Sequence, residues 1–291
     1  MERRLIGIVF NGRLPEAQAL AQRIAQVLGA GAWLSPTEAL DARAAQIARS
    51  RLVITVGGDG TILRTARLTA PYGVPIVGVN MGRVGFMTEL SPQESLERLP
   101  AYLDGKGWIE ERTMLEARVA SSGHTPEEEG LPTFHGLNDA VVARGTVSRL
   151  IRLAVQVDGE DLATYAADGL IVATPTGSTG YALAVGGPIV DPRLDCLLLK
   201  PLAAHLGLNT ALVLPSNSKV DITVLTEHPV VLSVDGFQDL MLGDGDMVRV
   251  ARSPYRARFL RARPPSHFYR VLFQRLGLQP RLGPPQPQHG E

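Results

Sequence analysis

The chain has 291 residues, 45% of them hydrophobic, a formal net charge of zero and one cysteine. That length buries one large or two ordinary cores, and a neutral chain exerts no bulk pull on nucleic acid or an anionic membrane. A lone Cys196 excludes internal disulfides and cysteine-built metal clusters. The apolar run within Met1–Phe10 is too short for a signal peptide or membrane span, so a soluble, cytoplasmic protein is expected.

Up to about residue 110, strands alternate with helices. Leu5–Phe10 reads as a buried strand, and Pro15–Leu28 as a helix with apolar spacing of three and four. Ser35-Pro36-Thr37-Glu38 and Ser91-Pro92-Gln93-Glu94 each read as a helix start, with a capping serine, proline at the first helical position and a glutamate that can bond back. Leu52–Val56 and Pro75–Val79 are apolar runs of strand length, and the alternation implies a parallel sheet covered on both faces. Between the first of these strands and a helix from about Thr61 to Leu68 stands Gly57-Gly58-Asp59-Gly60. Its glycines let the backbone approach a ligand with N–H groups turned outward, and the helix dipole adds positive potential. An anion fits there with Asp59 beside it as a proton acceptor, which suggests phosphoryl transfer. The plainer reading is a tight turn in which Asp59 caps the helix.

After about Trp108 the pattern changes to short strands: Met114–Ala120, Asp139–Ala143, Leu150–Val157, Leu170–Thr174, Val220–Leu225, Val230–Val234 and Met247–Val250. Asp158-Gly159, Asp235-Gly236 and Gly243-Asp244-Gly245 are turn signals among them, and a β-sandwich is expected. Ser121–Gly130 is polar and acidic, a solvated hairpin tip. Ser266–Leu276 reads as a closing helix and Gln279–Glu291 as a proline-rich disordered tail. The expected organisation is an α/β domain with a Rossmann-like parallel sheet over 1–110 and a β-sandwich dinucleotide-binding domain over 111–264. A helix over 265–278 then packs back on the first domain, and a tail follows over 279–291. A site between the two domains is the default expectation.

The longest motif runs from Asp168 to Tyr181, as Asp-Gly-Leu-Ile-Val-Ala-Thr-Pro-Thr-Gly-Ser-Thr-Gly-Tyr. A carboxylate precedes a buried strand, and the turn after it offers N–H groups and hydroxyls to a polar ligand, with Tyr181 able to stack on a base. A hydroxyl-rich β-turn with Tyr181 in the core is the plainer reading. Leu137-Asn138-Asp139 stands at a strand start, where an Asx turn is the commoner meaning.

Together these elements resemble the NAD kinase family. The glycine–aspartate turn, Leu137-Asn138-Asp139 and the threonine-rich motif follow in the family's order, as do Asn80–Met87, Gly186-Gly187-Pro188-Ile189-Val190 and Ser233-Val234-Asp235-Gly236. The resemblance implies ATP-dependent phosphorylation of the 2′-hydroxyl of the adenosine ribose of NAD, giving NADP. It puts the proton acceptor on Asp59. Dinucleotide contacts fall on Asp59, Gly60, Arg64, Asn138, Asp139, Arg149, Asp168, Thr179, Gly180, Tyr181, Ala182, Leu183 and Ala184. Arg64 or Arg149 can pair with the added phosphate of NADP. A homodimer or homotetramer is implied, with His205 and Asn209 loosely matching a segment near the subunit contact. Departures are Gly180 where many members have alanine, Ala184 where many have serine, Ala166 where arginine is common, and Phe237 where glutamine is frequent. They bear on affinity and donor preference more than on the reaction.

Divalent metal, Mg²⁺, is expected to arrive with the phosphates of ATP, since the histidines show no metal-ligand spacing. No G-x-G-x-x-G follows a strand and no G-x-x-x-x-G-K-[ST] occurs, which argues against a Rossmann redox enzyme and a P-loop kinase. A lipid or sphingoid-base kinase shares the glycine–aspartate turn, and a non-catalytic dinucleotide sensor shares the whole motif set. No nucleic-acid or membrane partner is expected.

Overall fold

The computed structural model describes residues 5–82, 85–146, 149–204 and 209–277. Arg83, Val84, His205 and the expected tail over 279–291 lie outside the described residues.

The first half alternates β1 (Leu5–Phe10), α1 (Pro15–Leu28), β2 (Ala32–Pro36), α2 (Ala44–Ala48), β3 (Ser50–Gly57), α3 (Asp59–Thr69), β4 (Ile76–Asn80) and α4 (Pro92–Leu103). Strands then dominate: β5 (Trp108–Ala120), β6 (Thr133–Gly136), β7 (Asp139–Arg144), β8 (Ile151–Val157), β9 (Glu160–Ala167) and β10 (Gly169–Ala173). The single turn α5 (Tyr181–Ala184) precedes β11 (Cys196–Leu202), β12 (Leu212–Pro215), β13 (Val220–Val224), β14 (Val230–Val234), β15 (Gln238–Leu242), β16 (Met247–Arg261) and α6 (His267–Arg275).

β1 to β4 form the parallel sheet, in the order β2-β1-β3-β4. α1 buries Ala17, Leu20, Ala21 and Ile24, the three-and-four spacing that lays one stripe against β1 and β3. β16 joins the halves. Its end lies beside β4 through Phe259 and Ile76, its start pairs with β13, and β5 runs antiparallel along both parts, with a register shift between Arg252 and Arg256. A second sheet, β12-β11-β10-β7-β14-β15, packs against the β13, β8 and β9 end of the first. Leu153, Val155, Tyr165, Leu170, Val172, Leu199, Ile222 and Leu232 fill the space between them. The result is an α/β half and a two-sheet half, as expected.

One helix start holds and the other does not. At α4 the Glu94 N–H donates to the Ser91 hydroxyl at 3.2 Å and the Ser91 N–H to the Glu94 carboxylate at 3.0 Å, a complete capping box. Ser35 instead lies in β2, in register with Val9, and its hydroxyl donates to the Pro36 carbonyl. A 3-10 turn over Thr37–Arg43 follows without a side-chain cap. Pairing in the buried sheet outweighs a local cap signal there. Strands β2, β6, β9, β11, β12 and β15 also escaped the sequence reading; the runs of β9, β11 and β12 mix in Asp161, Lys200 and Pro215.

Candidate functional site

α3 begins at Asp59, two residues earlier than expected, and Gly58 before it is extended with no side-chain cap. Asp59 is therefore not the helix cap of the plainer reading. Its carboxylate instead accepts the N–H groups of Phe86 at 2.9 Å and Met87 at 3.1 Å. Gly85 makes this approach possible, since a Cβ there would lie 2.4 Å from an Asp59 oxygen. The loop is braced from behind by Arg261, which donates to the Met87 carbonyl at 2.8 Å and to the Glu110 carboxylate at 2.7 Å. The Asp59 side chain stays 24% exposed, and the Arg275 guanidinium stands 4.0 Å from it. Gly60 is exposed, and the Arg64 guanidinium lies 4.8 Å over the Phe237 ring. One cleft is lined on one side by Gly58, Gly60 and Arg64, and on the other by Asp235, Gly236 and Phe237.

Asp235 ties the motifs together. Held at a φ of 54°, its carboxylate accepts the N–H groups of Leu137, Asn138 and Asp139 at 2.8, 2.7 and 3.2 Å. The other side of the same segment belongs to the threonine-rich turn. Thr174 donates its N–H to the Asn138 carbonyl at 2.8 Å and its hydroxyl to the Leu137 carbonyl at 2.5 Å. At Gly177 a Cβ would lie 2.1 Å from the Asn138 carbonyl oxygen, so only glycine permits the contact. Thr179 is half-buried with its hydroxyl on the Thr176 carbonyl, while Tyr181 is 48% exposed. Behind it Ala182 is buried and Leu183 half-buried, and Ala184 and the half-buried Gly180 complete the turn. The Asn138 Oδ1 and Thr176 Oγ1 atoms are buried with no hydrogen-bond partner among the described residues. Such atoms are uncommon, and a polar ligand would satisfy them.

Burial pushes the Asp139 carboxyl up to about 7, with the Asp235 charge acting in the same direction. Burial also raises Asp235, to about 6, against the three N–H bonds that favour its charged form. Asp139 thus binds a proton more tightly folded than unfolded, where its value is the ordinary 3.8. Its contribution to stability is full below about pH 4 and is lost as pH rises through about 7. Melting the ligand-free protein across that window should show stability falling with pH, and Asp139→Asn should flatten the fall. An identical slope in the variant would remove Asp139 as its source.

Asp168 and Arg149 are not gathered with the rest in one chain. β10 pairs with β7 so that Ala173 faces Asp139 and Gly169 faces Ala143. Asp168 therefore lies at the opposite end of the strand, roughly 13 Å or more from the Asn138 turn at about 3.3 Å per residue. It pairs with Arg144 at 3.1 Å. Arg149 is exposed and precedes β8, whose Ile151 faces Ala167, at that same end. The roles of Asp235, of the Phe86 and Met87 N–H groups and of Arg275 were not read from sequence. Asp235-Gly236 looks there like Asp158-Gly159, whose exposed aspartate accepts the Lys219 N–H at 2.8 Å. Among the described residues no group of three or more His, Cys, Asp or Glu is placed to hold a metal ion, and no helix is long and apolar enough to cross a membrane.

Two family models match: the ATP-NAD kinase N-terminal domain over residues 32–107 and the ATP-NAD kinase C-terminal domain over residues 137–262. An NAD kinase of Dehalococcoides mccartyi (strain CBDB1) is 42% identical over 274 residues, which span 93% of this chain and 95% of the relative. An NAD kinase of Heliobacterium modesticaldum is 39% identical over 288 residues, spanning 93% and 98%. The crystal structure of a yeast NADH kinase complexed with NADH superposes with a TM-score of 0.83, covering 98% of this chain and 91% of that one. At its 24% identity the likeness concerns the fold. An NAD kinase from Archaeoglobus fulgidus in complex with ATP gives a TM-score of 0.69 at 25% identity, covering 94% and 99%.

Proposed function

The chain belongs to the ATP-NAD kinase family, and from that membership we propose that it transfers the γ-phosphoryl group of ATP to the adenosine 2′-hydroxyl of NAD, forming NADP. The observation that carries the reading is the Asp59 carboxylate, held at the start of α3 beside a glycine-lined cleft. A ribose hydroxyl is a poor nucleophile, and a carboxylate within hydrogen-bond reach takes its proton as attack proceeds, a gain of about 10²–10⁴ in rate. The N–H groups of Phe86 and Met87 fix the direction of that carboxylate. Phosphoryl transfer otherwise depends on alignment and charge neutralisation. Mg²⁺ enters with the phosphates of ATP, as part of the substrate. Asn138, Asp139, Gly60, Arg64 and the Thr179–Ala184 turn hold the dinucleotide, with Tyr181 exposed for stacking and the buried, unpartnered Asn138 and Thr176 oxygens left to accept from its donors.

Asp168 and Arg149 face another direction in the monomer, so their contact with the same dinucleotide requires a second copy. We read the protein as a homodimer or homotetramer in the cytoplasm, its size open to measurement by sedimentation.

Protein, MgATP and NAD should together yield NADP, with the new phosphate at the adenosine 2′ position by phosphorus NMR. 2′-Deoxy-NAD lacks the attacked oxygen and should give no product, and lipid acceptors should give none. Phosphate at any other position, or a lipid product, would overturn the reading. Dinucleotide binding without turnover would identify the sensor.

A further inference from the structure

We propose that Arg275 is a catalytic residue whose guanidinium binds the phosphoryl group in transit between ATP and the ribose. The inference rests on the kinase reading above and adds to it a side-chain cation at the point of transfer. α6 is pinned across the seam of the molecule. The Tyr269 hydroxyl donates to Asp191 at 3.0 Å, Val271 is buried, and just ahead of the helix Arg263 donates to Glu94 at 3.0 Å. The last turn of the helix is thereby set over the loop that holds Asp59. Phe268 lies 6.5 Å from the Phe86 ring between centroids, and the Arg275 guanidinium stacks on the same ring at 5.0 Å. The contact holds the guanidinium beside Asp59, with Nη2 at 4.0 Å from the carboxylate.

Arg275 makes no hydrogen bond among the described residues, its side chain is 37% exposed, and all five of its N–H donors remain for a ligand. A last-turn arginine that merely answered the helix dipole would turn back to the carbonyls of its own helix; this one is stacked on a different segment and aimed at the proton acceptor. In the transfer, the ribose O2′ forms a bond to the γ-phosphorus as the bond from that phosphorus to the β,γ-bridging oxygen breaks. The electron pair leaves on the β-phosphate of ADP, and the hydroxyl proton passes to Asp59. As attack begins, before the proton has moved, the negative γ oxygens stand beside the Asp59 carboxylate, and a planar, permanently charged donor at that point offsets both.

The test compares wild type, Arg275→Ala and Arg275→Lys for kcat, KM for NAD, NAD affinity and melting temperature. Arg275→Ala should lose about 10²–10³-fold in kcat, the usual effect of removing one donor to developing charge, with NAD affinity and stability nearly unchanged. Millimolar guanidinium ion should restore part of that activity, and Arg275→Lys should fall between the two. A kcat within about threefold of wild type would overturn the assignment, since catalytic donors act on a larger scale. A loss that follows the melting temperature and resists guanidinium rescue would also overturn it. Wild-type protein that forms no NADP would instead reject the kinase reading itself, and this inference with it.

Discussion

Replacing Asp59 by asparagine should lower kcat by about 10²-fold or more while NAD affinity stays near that of wild type, because the amide keeps the size of the side chain and loses its basicity. The local structure is sensitive in a defined way. Both carboxylate oxygens of Asp59 now accept an N–H, from Phe86 and from Met87. An asparagine has one acceptor oxygen and turns its NH₂ toward the second donor, so a loss of about 1–3 kcal/mol accompanies the substitution. That loss is small against the activity effect, and single-turnover rates measured on folded protein separate the two. Wild-type kcat in Asp59→Asn would reduce Asp59 to a residue that anchors the Phe86 loop.

The largest effect on stability is expected at Asp235. Its carboxylate accepts three backbone N–H groups, and the residue is 9% exposed, so Asp235→Ala strands donors that water reaches poorly. Each stranded donor costs about 1–3 kcal/mol, and partial relaxation keeps the sum below three times that. A total of about 4 kcal/mol is a large share of the usual 5–15 kcal/mol and lowers the melting temperature by roughly 10 °C in a chain of this size. NAD binding should fall with it, because Asn138 and Asp139 lose the group that sets their direction. The Asp139 carboxyl also loses a charged neighbour that raises it, so the pH dependence of stability should weaken. Calorimetry checks this directly: a melting temperature unchanged in Asp235→Ala would show that the three N–H groups find other acceptors.

How far the sequence could be read depends on the range of the interaction. The helix over Pro15–Leu28 and the capping box at Ser91 were legible because both depend on residues within four positions of one another. Ser35 carries the same cap signal and fails, because its partner is the distant strand at Val9. Asp59 was legible as a carboxylate in a glycine turn at a helix start, and 174–180 as a hydroxyl-rich turn after a strand. What holds each of them was not: Phe86 and Met87 lie 27 and 28 residues from Asp59, and Asp235 lies 97 residues from Asn138.

By itself, the sequence determined the chemistry on offer: a carboxylate at a helix start, a hydroxyl-rich turn, alternating elements followed by strands, and motifs in an order shared with one family. Which carboxylate faces which backbone was decided by the tertiary structure alone. Packing of the two sheets brings 137–139, 174–180 and 235 into one knot and leaves Asp168 at the far end of β10. α6 then carries Arg275 to Asp59 across 216 positions of chain, as 275 − 59. Local patterns follow from the bonding of near neighbours, whereas these contacts exist only once burial of the shared cores has fixed where each strand end lies.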